Sequence, residues 1–377
     1  MISIIIFRAF IIWAIIQGIY ALYFFARYVQ RPALLHTASK QPGKPVSILI
    51  CARNEAINLK ANLPSVLSQR YHDVSGKPMY EVVVIDDSST DDTRDLLSQL
   101  QQQYQHLRIA TIPAGEPRTL KGKKFALDKA VSIAANDWLL LTDADCAPAG
   151  KHWLASMVAP LAAGKEIVGG YGAYYPTRSW LNAFIRWETM HTFLQFSTYA
   201  RAGKPYMAVG RNISCTKDIL QLAQRSPNWD LLPSGDDDML INIAATSGNM
   251  AIVDDQEAFT YSHTKDNFAD WVTQKQRHVS TGKYYTTQTK LRLGLYGFTH
   301  AAVWFYFIAL LFTSFVVPAI YIMAVRCVMY WILWAVTAQR LHEKRLIIKL
   351  PLLDIAWMLY NFTFLPYILF KNKKNWK

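Results

Sequence analysis

The residues Leu139-Leu140-Leu141-Thr142-Asp143-Ala144-Asp145 close an apolar run with two carboxylates one position apart. Alternate side chains of a strand point to one face, so Asp143 and Asp145 project together where such a run leaves a sheet. Their oxygens suit a hard divalent cation, which commonly shares its ligands with substrate phosphates. The same pair also suits a loop start or a helix cap. Further on, Ser234-Gly235-Asp236-Asp237-Asp238-Met239-Leu240 sets three carboxylates at the start of a helical pattern. Capping explains such residues, and so does general-base chemistry, because a carboxylate crowded by others has a raised pKa. Gln274-Lys275-Gln276-Arg277-His278 adds cations, either a solvated face or a neutraliser for an anionic leaving group.

These groups need a scaffold, and the preceding sequence supplies one. Val46-Ser47-Ile48-Leu49-Ile50-Cys51 reads as a buried strand with Arg53-Asn54-Glu55 at its end. A helical pattern follows over 57–69, then a second strand over 80–85 running into Asp86-Asp87-Ser88-Ser89-Thr90-Asp91-Asp92-Thr93. Part of that acidity is helix capping. A third strand over 107–112, a helix opened by Lys121-Gly122-Lys123-Lys124 and a fourth strand over 138–141 complete the series. Alternating strands and helices predict an α/β fold with a mostly parallel sheet flanked by helices. Ligands of such sheets bind beyond the carboxyl ends of the strands, where Arg53-Asn54-Glu55, Asp86-Asp87 and Asp143-Ala144-Asp145 all fall. No G-x-G-x-x-G or Walker loop is present, which disfavours a dinucleotide oxidoreductase or P-loop ATPase.

This ordered set of motifs, over roughly residues 46 to 290, resembles the family 2 glycosyltransferases, inverting nucleotide-sugar enzymes of the GT-A fold. More narrowly it resembles the membrane branch that includes cellulose, hyaluronan and poly-N-acetylglucosamine synthases. The resemblance implies that Arg53, Glu55 and Asp87 contact the nucleotide, with Lys123 approaching it and Asp143 beside it. It implies that Asp145, with Asp143, binds Mg²⁺ or Mn²⁺ on the diphosphate. It aligns Asp237 with the catalytic base and puts Asp236 where the family carries Glu. Gln274 and Arg277 match its Gln-x-x-Arg-Trp, with Arg277 the cation for the leaving group. On the acceptor side, His278 stands where the synthases have Trp, which favours a single transfer over chain elongation. Gly210-Arg211-Asn212-Ile213-Ser214 resembles a segment near the family's acceptor pocket, and His263 reads as structural.

The rest of the chain points to a membrane. Of the 377 residues 52% are hydrophobic, and the long apolar runs gather in residues 1–26 and 295–370. Residues 1–26 predict a retained transmembrane anchor in place of a cleaved signal, and 27–45 a linker rich in Pro and Gly. Residues 46–292 are then the catalytic domain, placed in the cytoplasm by Arg27 and Arg31. Residues 293–370 predict transmembrane or re-entrant helices, and 371–377 a basic tail. One span falls within 293–325, which lacks Asp, Glu, Lys and Arg; a second covers 318–338, where Arg326 needs protein, water or a lipid phosphate to face. Net charge is +13, and because the basic residues flank apolar spans they fit membrane lipids without nucleic acid. The four cysteines lack disulfide-like or zinc-like spacing.

The expectation is therefore a metal-dependent membrane glycosyltransferase that moves a sugar from a nucleotide-sugar donor to a lipid-linked or membrane-proximal acceptor. A processive polysaccharide synthase and a catalytically silent nucleotide-binding scaffold are the alternatives.

Overall fold

A computed structural model describes residues 1–30, 43–231 and 235–364. Arg31, most of the expected linker, Ser234, the end of the last apolar segment and the basic tail lie outside the described residues. The chain divides into two compact units. One contains described residues 43–175 and 200–264, the other 1–30, 176–199 and 265–364. The stretch 46–292 expected as one domain thus contributes to both, because two of its helical segments cluster with the apolar helices.

The first unit is built on strands β1 (Val46–Ala52), β2 (Tyr80–Asp87), β3 (Leu107–Ile112), β4 (Trp138–Asp143), β5 (Ala147–Pro148), β6 (Ile167–Gly170), β7 (Gly172–Tyr174), β8 (Ile213–Thr216), β9 (Met250–Val253) and β10 (Thr260–Ser262). Seven form one sheet in the order β3-β2-β1-β4-β8-β6-β9, and β5-β10-β7 form a small second sheet. The large sheet is parallel except where β8 runs against β4 and β6. Strands β1 and β2 are buried almost throughout, as expected of a sheet covered on both faces. Val46, Ile48, Ile50, Val82, Val84 and Leu140 share one core with residues of the helices Ala56–Leu67 and Trp153–Ala162. The helix Lys123–Ile133 packs on β1 and β2 as well. Each fully buried aliphatic side chain contributes about 1.5–3 kcal/mol.

Strands β2 and β4 run two residues past their expected ends, so Asp86, Asp87 and Asp143 are still in the ladder. Pairing sets Ala52 opposite Asp86 and Cys51 opposite Asp143, which brings the three strand ends level. The acidic run after β2 does cap, through Asp91. Its carboxylate accepts from the backbone N–H groups of Thr93 at 3.1 Å and Ala56 at 3.2 Å, at the starts of two helices.

In the second unit three helices are long and apolar enough to cross a membrane: residues 2–28, Thr287–Leu310 and Val316–Arg340. The first continues its α-helix through a wider turn at Tyr20–Phe25. Phe10, Val303, Leu310, Ala319 and Met323 form an apolar core among them. Gln17 donates to Thr299 Oγ1 at 2.8 Å, and the Tyr330 hydroxyl donates to the Gln17 carbonyl at 3.0 Å. Ile4, Ile12, Ile15, Phe312, Tyr321 and Val325 stay exposed, as a lipid-facing surface requires. Arg326 meets the protein: it is buried and paired with Asp354, which also bonds His300 Nε2 at 2.7 Å. The last apolar segment is described as the short helix Leu350–Leu359 and a turn at Tyr360–Phe364.

Candidate active site

The site begins at the carboxyl ends of β1, β2 and β4. Asn54 follows β1 at φ +57° and Ser88 follows β2 at φ +58°, a left-handed conformation that non-glycine residues adopt at a cost. Cross-bonds between the two loops hold it. Asn54 Oδ1 accepts from Thr90 N–H at 2.7 Å, Asn54 N–H donates to Ser89 Oγ at 2.9 Å, and Glu55 N–H donates to Thr93 Oγ1 at 3.0 Å. Arg53 is left exposed and Glu55 half-buried, with Asn58 donating to its carboxylate at 2.5 Å.

Asp87 is buried at the end of β2 and gripped by Arg118, whose two terminal nitrogens donate to its two oxygens at 3.1 and 2.5 Å. A bidentate guanidinium–carboxylate pair fixes orientation as well as charge. Arg118 was not among the residues singled out from sequence. It sits in an irregular loop where neither periodicity nor a motif marks it.

Lys123 joins two of the motifs. Gly122, at φ +59°, caps the helix that Lys123 opens. Lys123 Nζ lies 2.5 Å from Asp143 Oδ1 and 3.9 Å from Asp236 Oδ2. Burial works against its charge, but Asp143 and Asp236 outweigh that and hold its pKa well above the usual lysine range. Lysine here is a fixed cation between the Asp-x-Asp strand end and the Asp236–Ala244 helix.

That helix starts after Gly235, which adopts φ +79°. Asp236 is buried and Asp237 half-buried. The Asp237 carboxylate accepts from Gly210 N–H at 2.7 Å and Asp238 N–H at 2.9 Å. Burial, then the neighbouring Asp236, pushes its pKa up to about 6 against those two bonds and Lys123. A Cβ at position 210 would meet Asp237 Oδ2 at 3.1 Å, so a larger residue there would have to push the carboxylate aside by a few tenths of an ångström.

The segment Gly210-Arg211-Asn212 is a brace. Arg211 is stacked over Tyr174 at 4.1 Å and bonds the Gly172 carbonyl and Ser262 Oγ in the small sheet. Asn212, fully buried, donates to the carbonyls of Tyr171 and Ala258 and accepts from Trp153 Nε1 at 3.0 Å. The sequence pointed to this segment only through resemblance. Its service to Asp237 is a backbone bond, which side-chain types do not announce.

Asp143, Asp145 and Cys146 place one ligand atom each within 4.8 Å of one another. Asp145 is exposed and pairs with no lysine or arginine among the described residues. Two carboxylates suit Mg²⁺ or Mn²⁺. Burial raises the Cys146 thiol well above its ordinary range, and a hard cation prefers carboxylate oxygens to sulfur, which leaves the two aspartates as the better ligands. The donor set therefore fits a hard divalent cation.

Gln274, Arg277 and His278 lie on the helix Phe268–Ser280 of the other compact unit. Gln274 and Arg277 are half-buried and His278 is exposed. On the same helix Lys275 is ion-paired with Glu188. Lone His263 packs against the Tyr175 ring in a tilted arrangement, centroids 4.9 Å apart.

Comparison with known proteins agrees with this architecture. The family model described as Glycosyl transferase family 2 matches residues 47–214, and that of Glycosyl transferase family group 2 matches residues 138–341, more than half of the chain. Glycosyltransferase AglE of Haloferax volcanii is 28% identical over 193 residues, covering 51% of this chain and 58% of that protein. The Beta-monoglucosyldiacylglycerol synthase of Synechocystis is 32% identical over 114 residues, 30% of this chain and 22% of that one. The chain thus aligns with less than two thirds of the length of these relatives. In three dimensions it superposes on the mannosyltransferase PcManGT from Pyrobaculum calidifontis, solved with GDP-Man and Mn²⁺. The TM-score is 0.56 with 17% identity, over 96% of this chain and 98% of that one, a likeness of fold. With the expected mostly parallel, helix-flanked sheet in place and more than half of its length matched, the chain belongs to the family 2 glycosyl transferases of the GT-A fold.

Proposed function

We propose that the protein is a membrane-bound, inverting glycosyltransferase that moves one sugar from a nucleotide sugar to a lipid-linked or membrane-proximal acceptor. The observation that carries this reading is Asp237. It is half-buried, held by the Gly210 N–H at 2.7 Å, raised to about pKa 6, and linked through Asp236 and Lys123 to Asp143. A base of that pKa is mostly ionised at neutral pH and still accepts a proton readily.

Each residue then has a task. Glu55 and Asp87 receive the nucleoside, with Arg118 keeping the Asp87 carboxylate oriented. Arg53, exposed beside them, and Lys123 supply positive charge toward the diphosphate. Asp145 and Asp143 would hold a divalent cation, Mg²⁺ or Mn²⁺, whose charge neutralises the leaving diphosphate. Asp237 takes the acceptor hydroxyl proton as that oxygen attacks the anomeric carbon. The new C–O bond forms opposite the breaking one, the nucleoside diphosphate leaves with the old bond's electron pair, and the configuration inverts. Gln274, Arg277 and His278 complete the proposal on the leaving-group and acceptor sides.

Three features support a membrane acceptor. Three helices are long and apolar enough to span a bilayer, Arg27 and the basic stretch 340–349 favour a cytoplasmic catalytic face, and one relative is named for a glucosylated diacylglycerol product. The expected test result is release of nucleoside diphosphate and a singly glycosylated lipid, read by mass spectrometry. The trial uses the full chain in nanodiscs, a panel of UDP- and GDP-sugars, and Mg²⁺ or Mn²⁺. Asp145→Ala should lower turnover by on the order of 10³-fold, because the metal term is worth several kcal/mol. Full activity in that variant would sink the metal assignment, and a polymer product would favour the processive alternative.

A further inference from the structure

The second unit contains a cavity of about 410 Å³ with an almost wholly apolar wall. Trp180 and Phe184 come from the helix Trp180–Arg201, Trp271 from Phe268–Ser280, and Leu353, Ala356 and Tyr360 from the segment that starts at Leu350. The wall is open to the surroundings, since Trp180 remains 59% exposed. A soluble protein would close such a surface, whereas a hydrocarbon chain satisfies it in a bilayer.

The rim carries charge. Lys349 Nζ stands 4.5 Å from the centroid of the Trp180 ring. It ends the turn Lys344–Lys349, whose other cations are Lys344 and Arg345. None of the three forms an ion pair among the described residues. The neighbouring acid, Glu343, is engaged by Arg186 and buried, so it does not offset them. An apolar slot with an uncompensated lysine, Lys349, beside its Trp180 wall matches a hydrocarbon chain joined to a phosphate.

We propose that this cavity holds an acyl chain of an anionic glycerophospholipid, with Lys349 facing the lipid phosphate. The site lies wholly within one compact unit and is independent of the catalytic reading.

The test uses full-length protein in nanodiscs containing phosphatidylglycerol with a photoactivatable group in its acyl chain. Cross-links are expected on peptides carrying residues 180–184, 268–271 and 352–360. Unlabelled phosphatidylglycerol should compete for them better than phosphatidylcholine. Lys349→Gln should lower labelling there about fivefold, the contribution of one lysine near an anionic surface, and Ala356→Trp should abolish it by filling the slot. Should Ala356→Trp fail to fold, Lys349→Gln alone still decides. Labelling confined to the three long apolar helices, equal competition by phosphatidylcholine, or unchanged labelling in Lys349→Gln would overturn the proposal. With a photoactivatable residue at position 356, a cross-link to the chain's own residues 365–370 instead of lipid would overturn it too.

Discussion

Asp143 and Asp354 each hold a basic side chain at hydrogen-bond distance, one in each compact unit, and their surroundings differ. Asp354 is fully buried. It takes Arg326, His300 Nε2 at 2.7 Å and Trp331 Nε1 at 3.2 Å, while the Arg326 guanidinium also faces the Tyr330 ring at 4.6 Å. The Arg326 and Asp354 charges are paired with each other, as an apolar medium demands, although Arg326 Nε and Nη2 make no hydrogen bond. Asp143 shares Lys123 with Asp236 and stays partly open, beside an exposed Asp145 and an Asp237 whose pKa is displaced. The same residue types build a staple in one place and a reactive crevice in the other. What separates them is whether any carboxylate is left for a ligand.

That contrast can be broken from either side. The largest effect is expected from Asp237→Asn, which keeps the shape but removes the base: turnover should fall by about 10²–10⁴-fold while donor binding, measured by calorimetry, persists. A variant with wild-type turnover would move the base elsewhere. In the other cluster, Asp354→Asn should lower stability by about 3–5 kcal/mol by leaving Arg326 uncompensated. Thermal unfolding in detergent checks this, and the paired replacement Arg326→Met with Asp354→Leu should recover much of the loss. If the single variant unfolds like wild type, the cluster is not a staple.

Acid comes next in size. With Asp237 raised to about 6, turnover should fall roughly tenfold for each pH unit below that value, as the base becomes protonated. The stability sign is opposite to that of a salt-bridged aspartate. The fold disfavours the ionised form, so the penalty is absent below the unfolded value of about 3.9, grows as pH rises to about 6 and is constant above. Asp237→Asn should therefore raise the melting temperature more at pH 8 than at pH 4. A flat difference would argue against the displaced carboxyl. The smallest effect belongs to Arg118→Gln, where loss of the Asp87 pair should raise the donor KM about tenfold with little change in kcat. An equal fall in kcat would give Arg118 a part in the transition state.

Legibility followed the range of the forces involved. Strands β1, β2 and β4 were readable because burial on both faces leaves continuous apolar runs, and Asp143-Ala144-Asp145 was readable because a run that ends in paired charge is a local pattern. The candidate spans were readable for the same reason, although their ends at Leu310 and Arg340 were not. Arg118 and Gly210 were missed in their present roles. Each acts on a carboxylate 31 or 27 residues away in sequence, and one of the two contacts is made by a backbone N–H.

By itself the sequence determined the alternating strand–helix order, the apolar helices at both ends, and the identity of the carboxylates at the strand tips, since these rest on neighbours in the chain. Only the tertiary structure decided which carboxylates are spent and which are available. That depends on Lys123 reaching both Asp143 and Asp236, on Arg118 closing over Asp87, and on Gly210 bringing a backbone N–H within 2.7 Å of Asp237. Burial and charge proximity set a pKa, and both are properties of the packed chain.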